Sequence, residues 1–331
     1  MEYNTGEKIA QLSVLDPDIE EYLKTHDALS TEGPRKPDTD FDYSINVRMR
    51  DGYLSETRIH KPPNPSGAKS PVIVLLYGGG FVTGDCRQLG GFARVATRLF
   101  NATVVNLSYR LAPANPFPAA PNDVWDGLKW VAGNSQTLGG DTSVDFILGG
   151  VSAGGNLAAV TAQKTVDGTD VLTPPLTGLW LCIPVIAEED AVPTQYRDLF
   201  FAREQNAEAP ILGAAAFARI RAAYAPQAKS PDYSPFNSAA PHKGMPPTFL
   251  QVAGKDFLRD DGLVYERALR EHGVETRLDV YPGAPHGHIA FRGENIKSSI
   301  KARVDIFKGL AWLLKVSVAE GDIKTELSRE F

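Results

Sequence analysis

Residues 146–155 read FILGGVSAGG, an apolar run that ends in a glycine-rich turn around Ser152. A strand that turns this sharply into a helix crowds its own backbone, so small residues flank the turn and the serine hydroxyl is exposed above the sheet edge. The following helix would add N–H groups and a positive dipole end there. The G-x-S-x-G form also suits packing or nucleotide binding. However, the glycine spacing of a dinucleotide fingerprint and the lysine of a P-loop are both missing.

Apolar runs of strand length alternate with helical patterns on both sides of this turn. Residues 43–60 predict a hairpin around Asp51-Gly52, and residues 71–76 predict a buried strand that runs into three glycines. Further strands are predicted at residues 102–107, 145–148, 178–184, 247–253 and 276–281, and helices at 122–132, after Ser152, at 261–272 and at 296–315. The alternation indicates an α/β fold with a mostly parallel central sheet flanked by helices.

Two segments fall outside this alternation. Residues 1–42 are polar, with short helical patterns followed by a proline- and glycine-rich stretch, which predicts a lid or arm. Residues 187–228 show helical periodicity without a convincing strand, which predicts an inserted helical cap. We therefore divide the chain into an N-terminal cap segment (1–42), a core (43–186 and 229–331) and an inserted cap segment (187–228).

The composition is that of an ordinary globular protein, with 331 residues, 43% of them apolar and 22% charged. A net charge of −6 without a basic stripe argues against nucleic acid as a partner. Cys86 and Cys182 lie far apart, so we expect buried free thiols rather than a disulfide or a zinc site. No signal pattern opens the chain, and no apolar run approaches the ~18 residues of a membrane span. These features favour a cytoplasmic location.

A serine nucleophile needs a base, and that base needs an orienting carboxylate. Asp256 follows the predicted strand at 247–253 and His286 follows the one at 276–281, so both would lie at the same sheet edge as Ser152. His288 is a rival base in the same loop. A metal site on His286 and His288 is a weaker alternative, because no other histidine or cysteine cluster would complete it. We expect neither a metal nor a cofactor.

Three consecutive glycines, Gly78, Gly79 and Gly80, follow the predicted strand at residues 71–76. Glycines without side chains let backbone N–H groups approach a ligand closely. The loop from Tyr77 is therefore a candidate oxyanion hole, with a flexible surface hairpin as the alternative.

Together these motifs resemble the hormone-sensitive-lipase group of α/β-hydrolase carboxylesterases over most of residues 71–291. The matching segments are residues 77–81 for the family's HGGG loop, 109–119 with Asp123 for YRLAPE and FPA, 150–155 for GDSAGG, 256–262 for D-x-L-R-D-E-G, and 286–287 for HG. The resemblance implies an α/β-hydrolase fold with a helical cap. It also implies Ser152 as nucleophile, His286 as general base, Asp256 as orienting carboxylate, and Gly79, Gly80 and Ala153 as oxyanion donors.

Three departures from the family pattern each remove a polar group near the site. Tyr77 replaces the loop histidine, Val151 replaces the acid beside the nucleophile, and Ala114 replaces a glutamate. We expect Tyr77, Phe81 and Val151 to contact the substrate. The triad itself is intact.

The leading hypothesis is a cofactor-independent serine hydrolase that cleaves a carboxylic ester through an acyl-enzyme, with water as the second nucleophile. The departures leave two alternatives open. One is a lactonase, thioesterase or acyltransferase acting on a secondary metabolite, and the other is a small-molecule receptor with weak catalysis. The expected partner is a small acyl substrate, and exposed edge strands permit a homodimer without requiring one.

Overall fold

Eight strands form one sheet in the part of the chain that the computed structural model describes, residues 3–26, 39, 41–62, 70–168, 170–293 and 295–331. The strands are β1 (Asp42–Arg48), β2 (Leu54–His60), β3 (Val72–Leu76), β4 (Thr103–Leu107), β5 (Phe146–Val151), β6 (Gly178–Cys182), β7 (Thr248–Ala253) and β8 (Thr276–Tyr281). Their order across the sheet is β1-β2-β4-β3-β5-β6-β7-β8. β2 is antiparallel to both β1 and β4, and the other neighbours are parallel. The predicted α/β class and mostly parallel sheet are confirmed.

Helices cover the central strands, whose residues are buried throughout β3, β4 and β5. The continuous run of valine, isoleucine and leucine in β3 suits a strand that is covered on both faces. The α-helices among the described residues are α1 (Gly6–Ala10), α2 (Pro17–Thr25), α3 (Gly90–Phe100), α4 (Ala119–Asn134), α5 (Ala153–Val166), α6 (Ala202–Gln205), α7 (Ala214–Tyr224), α8 (Arg259–Glu271), α9 (Lys297–Leu313) and α10 (Glu320–Leu327). α5 packs on β5 and β6, α8 on β7 and β8, and α9 contacts β6, β7 and β8.

Strand positions follow the predicted pattern, with differences at their ends. The predicted hairpin is present, with β1 and β2 paired from Asp42↔His60 to Arg48↔Leu54. β5 continues to Val151, three residues beyond its predicted end, because its two glycines remain extended. β6 ends at Cys182, two residues early, because the next residue, an isoleucine, has a φ of 44°. A β-branched residue in that left-handed region interrupts a strand.

Helices α3 and α10 are not predicted from the sequence. α3 begins with two glycines, and no side chain caps its N-terminus. α10 is mostly polar, and it packs against α3 through charge pairs. Arg98 of α3 lies 2.5 Å from the Glu326 carboxylate of α10, and Arg94 lies 2.8 Å from the carboxylate of Glu330, just beyond that helix. These pairs join residues far apart in the chain, so local periodicity does not reveal them.

Helices also occupy the two segments predicted as a cap, α1 and α2 in the first and α6 and α7 in the second. Two 3₁₀ helices, Glu189–Ala191 and Thr194–Leu199, precede α6. The two segments contact each other, because Gln205 donates its Nε2–H to the Ala10 carbonyl oxygen at 3.0 Å. Ser13 Oγ lies 3.0 Å from Gln205 Oε1. The domain boundaries remain a prediction.

The structure also bears on the two cysteines and on whether a helix could span a membrane. Cys86 and Cys182 are buried free thiols, as predicted, and burial raises the pKa of both. Among the helices that the structure describes, none combines the length and apolar character needed to cross a membrane.

Candidate active site

Ser152 lies on the sharp turn between β5 and α5. Its φ of 55° and ψ of −115° are unusual for a residue with a side chain, and such strain persists only where the surroundings impose it. The Cys182 carbonyl oxygen accepts the Ser152 N–H at 2.8 Å. A Cβ at Gly150 would lie 2.1 Å from the Gly154 carbonyl oxygen, and one at Gly154 would lie 2.2 Å from the Leu76 carbonyl oxygen. Only glycine at both positions lets β3, β5 and α5 approach closely enough to form the turn.

Three side chains from different loops form a hydrogen-bonded chain at the carboxyl edge of the sheet. Ser152 Oγ lies 2.8 Å from His286 Nε2, and His286 Nδ1 lies 2.7 Å from Asp256 Oδ2. All three residues are buried, Asp256 almost completely. A carboxylate only accepts hydrogen bonds, so it holds the imidazole proton on Nδ1 and leaves Nε2 to accept the serine proton.

The loop of Asp256 has its own supports. The second carboxylate oxygen, Oδ1, accepts the Leu258 N–H at 2.9 Å. Asn206 donates its side-chain amide to the Asp256 carbonyl oxygen at 2.8 Å and to the Gly254 carbonyl oxygen at 3.5 Å. Asn206 is fully buried and lies just after α6, in the segment predicted as a cap. Sequence reasoning missed it, because a single asparagine after a short helix carries no pattern.

The structure separates the two histidines that the sequence left as rivals. His286 faces Ser152, whereas His288 Nδ1 lies 3.2 Å from the Pro285 carbonyl oxygen and its ring packs against Tyr281. Burial lowers the pKa of His288 to about 4, which keeps the ring neutral. The two rings thus have different partners, which also removes support from the metal alternative.

The glycine loop lies beside the serine. A Cβ at Gly78 would meet the Val151 carbonyl oxygen at 3.1 Å and Ser152 Cβ at 3.4 Å. Gly79 and Gly80 have φ values of 128° and 61°, and a Cβ at Gly79 would lie 2.1 Å from the Thr83 carbonyl oxygen. The Gly79 carbonyl oxygen accepts the Thr83 N–H at 3.1 Å, so the loop folds back on itself. Glycine is required here by both conformation and space.

Tyr77 anchors this loop rather than standing free in it. Its hydroxyl donates to the Tyr109 carbonyl oxygen and the Tyr109 hydroxyl donates to the Tyr77 carbonyl oxygen, both at 2.9 Å. The two rings stack with centroids 4.2 Å apart. Burial raises the pKa of Tyr77 above its usual range, so the hydroxyl remains a donor. This geometry favours a structural role, and substrate contact by Tyr77 stays a prediction.

One face of α7 covers both the loop after Asp256 and the glycine loop. Phe217 lies 5.2 Å, centroid to centroid, from the ring of Phe257, the residue after Asp256. Ile220 covers Gly80, because a Cβ at that glycine would lie 2.8 Å from Ile220 Cδ1. One turn further, Tyr224 stacks on Phe81 with centroids 3.9 Å apart and planes 3° from parallel. We call this face, Phe217, Ile220 and Tyr224, the α7 roof.

Phe81 and Val151 were predicted as substrate contacts. Phe81 is buried under the α7 roof with a φ of 63°, and Val151 ends β5 directly before Ser152. Both therefore lie next to the loop or turn that forms the site. Their contact with substrate stays a prediction.

A buried ion pair joins α6 to the helix after Asp256. Arg203 Nη2 lies 2.9 Å from an Asp261 carboxylate oxygen, and the guanidinium carbon lies 4.4 Å from the Phe217 ring centroid and 4.9 Å from that of Phe257. Burial raises the pKa of Asp261 to about 6, although the arginine opposes the shift. One cation thus contacts both the α7 roof and Phe257, the residue after Asp256.

Comparison with known proteins places this geometry in a family. A model described as the alpha/beta hydrolase fold matches residues 73–290. An AB hydrolase superfamily protein of Schizosaccharomyces pombe is 31% identical over 96% of this chain and 98% of its own. The esterase LipI of Mycobacterium tuberculosis is 35% identical over 72% of each chain. The crystal structure of vibralactone cyclase superposes with a TM-score of 0.81 at 25% identity, covering 92% of this chain and 96% of that one. The chain therefore belongs to the hormone-sensitive-lipase-like family of α/β hydrolases.

Proposed function

We propose that this esterase-type hydrolase cleaves carboxylic esters through a covalent acyl-enzyme formed on Ser152. The observation that carries the proposal is the continuous hydrogen-bonded chain from Ser152 Oγ through His286 to Asp256. Family membership supports ester hydrolysis by a serine hydrolase.

In both halves of the reaction His286 carries a proton between Ser152 and the reacting group. As Ser152 Oγ attacks the ester carbonyl carbon, His286 Nε2 takes the hydroxyl proton and then gives it to the departing alkoxide, which leaves as an alcohol. A water molecule next loses a proton to His286 and attacks the acyl carbon. The same histidine returns the proton to Ser152 as the carboxylic acid leaves. Asp256 stays ionised and stabilises the cationic imidazole.

In this proposal the N–H groups of Gly79, Gly80 and Ala153 donate hydrogen bonds to the oxyanion of each tetrahedral intermediate. Ala153 opens α5, so its N–H has no acceptor within the helix. Among the hydrogen bonds of the described residues, neither Gly79 nor Gly80 donates its N–H. Donors that face developing charge lower the barrier because they need no reorganisation during reaction.

In this proposal the α7 roof is part of a cap, and it shapes the pocket for the acyl or alcohol group of the substrate. Its three side chains carry no formal charge, and Arg203, whose guanidinium lies over Phe217, is paired with Asp261. A buried unpaired charge on the substrate would therefore lack a free partner beside the α7 roof. The proposed substrate is a small, uncharged ester.

A fluorophosphonate probe tests the nucleophile directly. We expect stoichiometric labelling confined to Ser152, and a fall of about 10⁶ in kcat for Ser152→Ala if the three side chains act as a unit. Ser143→Ala, an exposed serine before the opposite end of β5, is the matched control and should label and turn over normally. Folded protein that neither labels nor hydrolyses a panel of p-nitrophenyl esters would overturn the proposal in favour of a receptor.

Acyl transfer to an acceptor other than water is a second candidate. It is favoured by the structural similarity to a cyclase and by the low exposure of Ser152 and His286, 9% and 8%. A site with little access to bulk water suits an acceptor supplied by the substrate itself. Labelled Ser152 with poor p-nitrophenyl ester turnover, together with ring closure of a hydroxy-ester, would favour this candidate.

A further inference from the structure

Gly78 is the point where the proposed oxyanion loop touches the nucleophile turn. A Cβ on Gly78 would meet the Val151 carbonyl oxygen and Ser152 Cβ at the distances given above, and the residue is buried. Any rotation of the peptide units around Gly78 therefore changes how the following N–H groups face Ser152.

Both backbone polar groups of Gly78 pair with one side chain. The Gly78 N–H donates to Gln88 Oε1 at 2.8 Å, and Gln88 Nε2 donates to the Gly78 carbonyl oxygen at 3.5 Å. Gln88 lies in the turn before α3. That turn is held by the Asp85 carboxylate, which accepts the Arg87 N–H at 2.7 Å, and by the Gln88 N–H, which donates to the Asp85 carbonyl oxygen at 3.2 Å.

The hydrogen bond from Gln88 Nε2 to the Gly78 carbonyl oxygen orients a proposed oxyanion donor. The Gly78 carbonyl and the Gly79 N–H belong to one planar trans peptide unit, so they point in opposite directions. When Gln88 holds the Gly78 carbonyl oxygen on its side of the loop, the Gly79 N–H must face away from Gln88. The hydrogen bond from the Gly78 N–H to Gln88 Oε1 fixes the preceding peptide unit, so Gln88 restrains the peptide units on both sides of Gly78.

We propose that Gln88 is a positioning residue for the reaction at Ser152: its side-chain amide clamps the Gly78 backbone and thereby aims the Gly79 N–H at the oxyanion. This inference rests on the proposed function, since it assumes that the glycine loop stabilises an oxyanion. Gln88 itself is exposed, so its substitution leaves the core unchanged and isolates the effect on the loop.

The test compares the wild type with Gln88→Met, which keeps the side-chain length but removes the hydrogen bonds. Gln136→Ala is the control. This glutamine is exposed in the turn after α4, near the amino ends of the strands and opposite the end where Ser152 lies. We expect Gln88→Met to lower kcat about fivefold, as loss of one net hydrogen bond would, with KM unchanged. That split marks an interaction made only in the transition state. Titration with the fluorophosphonate corrects each kcat for the active fraction.

Hydrogen exchange gives a readout that does not depend on turnover. The Gly78 amide should exchange faster in Gln88→Met and stay protected in Gln88→Glu, which keeps the acceptor oxygen. An unchanged kcat in Gln88→Met, a rise in KM alone, or unchanged Gly78 exchange would overturn the proposal. If the wild type hydrolyses no ester, the proposed function fails, and the exchange data still show whether Gln88 clamps the loop.

Discussion

Gly154 is a position where the addition of one methyl group should cause a large loss of activity. In Gly154→Ala the new Cβ would lie 2.2 Å from the Leu76 carbonyl oxygen and 2.3 Å from that of Tyr77. Real Cβ contacts essentially never fall below 3.0 Å, so these backbone atoms must move by about 0.8 Å. They end β3 and begin the glycine loop, so the shift separates the proposed oxyanion donors from Ser152.

A misplacement of about 1 Å costs on the order of 10²-fold in rate, and we expect that loss in kcat. Overpacking should also lower the free energy of unfolding by about 1–3 kcal/mol. Steady-state kinetics on a p-nitrophenyl ester, the rate of fluorophosphonate labelling and urea unfolding measure the three consequences. Labelling should slow in parallel with kcat, because the probe also places an oxygen in the oxyanion site.

Gly133→Ala is the matched control, since it makes the same change at an exposed position of α4 where a Cβ would meet nothing within 4 Å. There the alanine should raise helix stability by about 0.5–1 kcal/mol and leave kcat unchanged. Wild-type kcat and labelling in Gly154→Ala would refute the argument from close backbone approach.

Three further predictions test other parts of the structure. Asp256→Asn should lower kcat by about 10⁴ with little change in thermal unfolding, since the amide favours the wrong imidazole tautomer; a loss below tenfold would contradict the triad. Ile220→Ala should raise kcat/KM for longer acyl esters by about fourfold per accommodated methylene relative to acetate, whereas Arg219→Ala on the exposed face should leave the chain-length profile unchanged. Burial lowers the pKa of His242 to about 4, below the unfolded value of 6.5. The folded state therefore loses stability as pH falls from 6.5 towards 4. His242→Phe should remove about 2 kcal/mol of the difference in unfolding free energy between pH 7 and pH 5, measured in urea, and an equal pH dependence in the two proteins would contradict this.

Much of the framework was predictable because its signals are local. The strand at Val72–Leu76 is a continuous apolar run, as parallel strands covered on both faces require, and Thr103–Leu107 is mostly apolar. Chain order and strand ends were enough to bring Ser152, Asp256 and His286 to one sheet edge. Their hydrogen bonds are a property of the structure, and their catalytic roles remain the proposal that the labelling experiment tests.

The rest could not be predicted because it depends on contacts between distant segments. His286 and His288 follow the same strand, and only the turn at Gly287, with a φ of 74°, directs one ring to Ser152 and the other into the interior. Gln88 and Asn206 are single polar residues in turns, where nothing in the local pattern distinguishes them from solvated side chains. The register of α10 on α3 likewise depends on a charge pair, Arg98 with Glu326, whose members are more than two hundred residues apart in the chain.

Asn206 has a practical consequence for protein engineering. A chimera that exchanged residues 187–228 for the corresponding segment of a relative would aim to change substrate preference alone. It would also replace the amide that supports the backbone of Asp256. A graft without an asparagine at that point would combine a new pocket with a loosened carboxylate, and its slow turnover would be mistaken for poor substrate fit. If residues 187–228 form the proposed cap, an exchange of this segment changes preference and rate together, and it has to carry the asparagine with it.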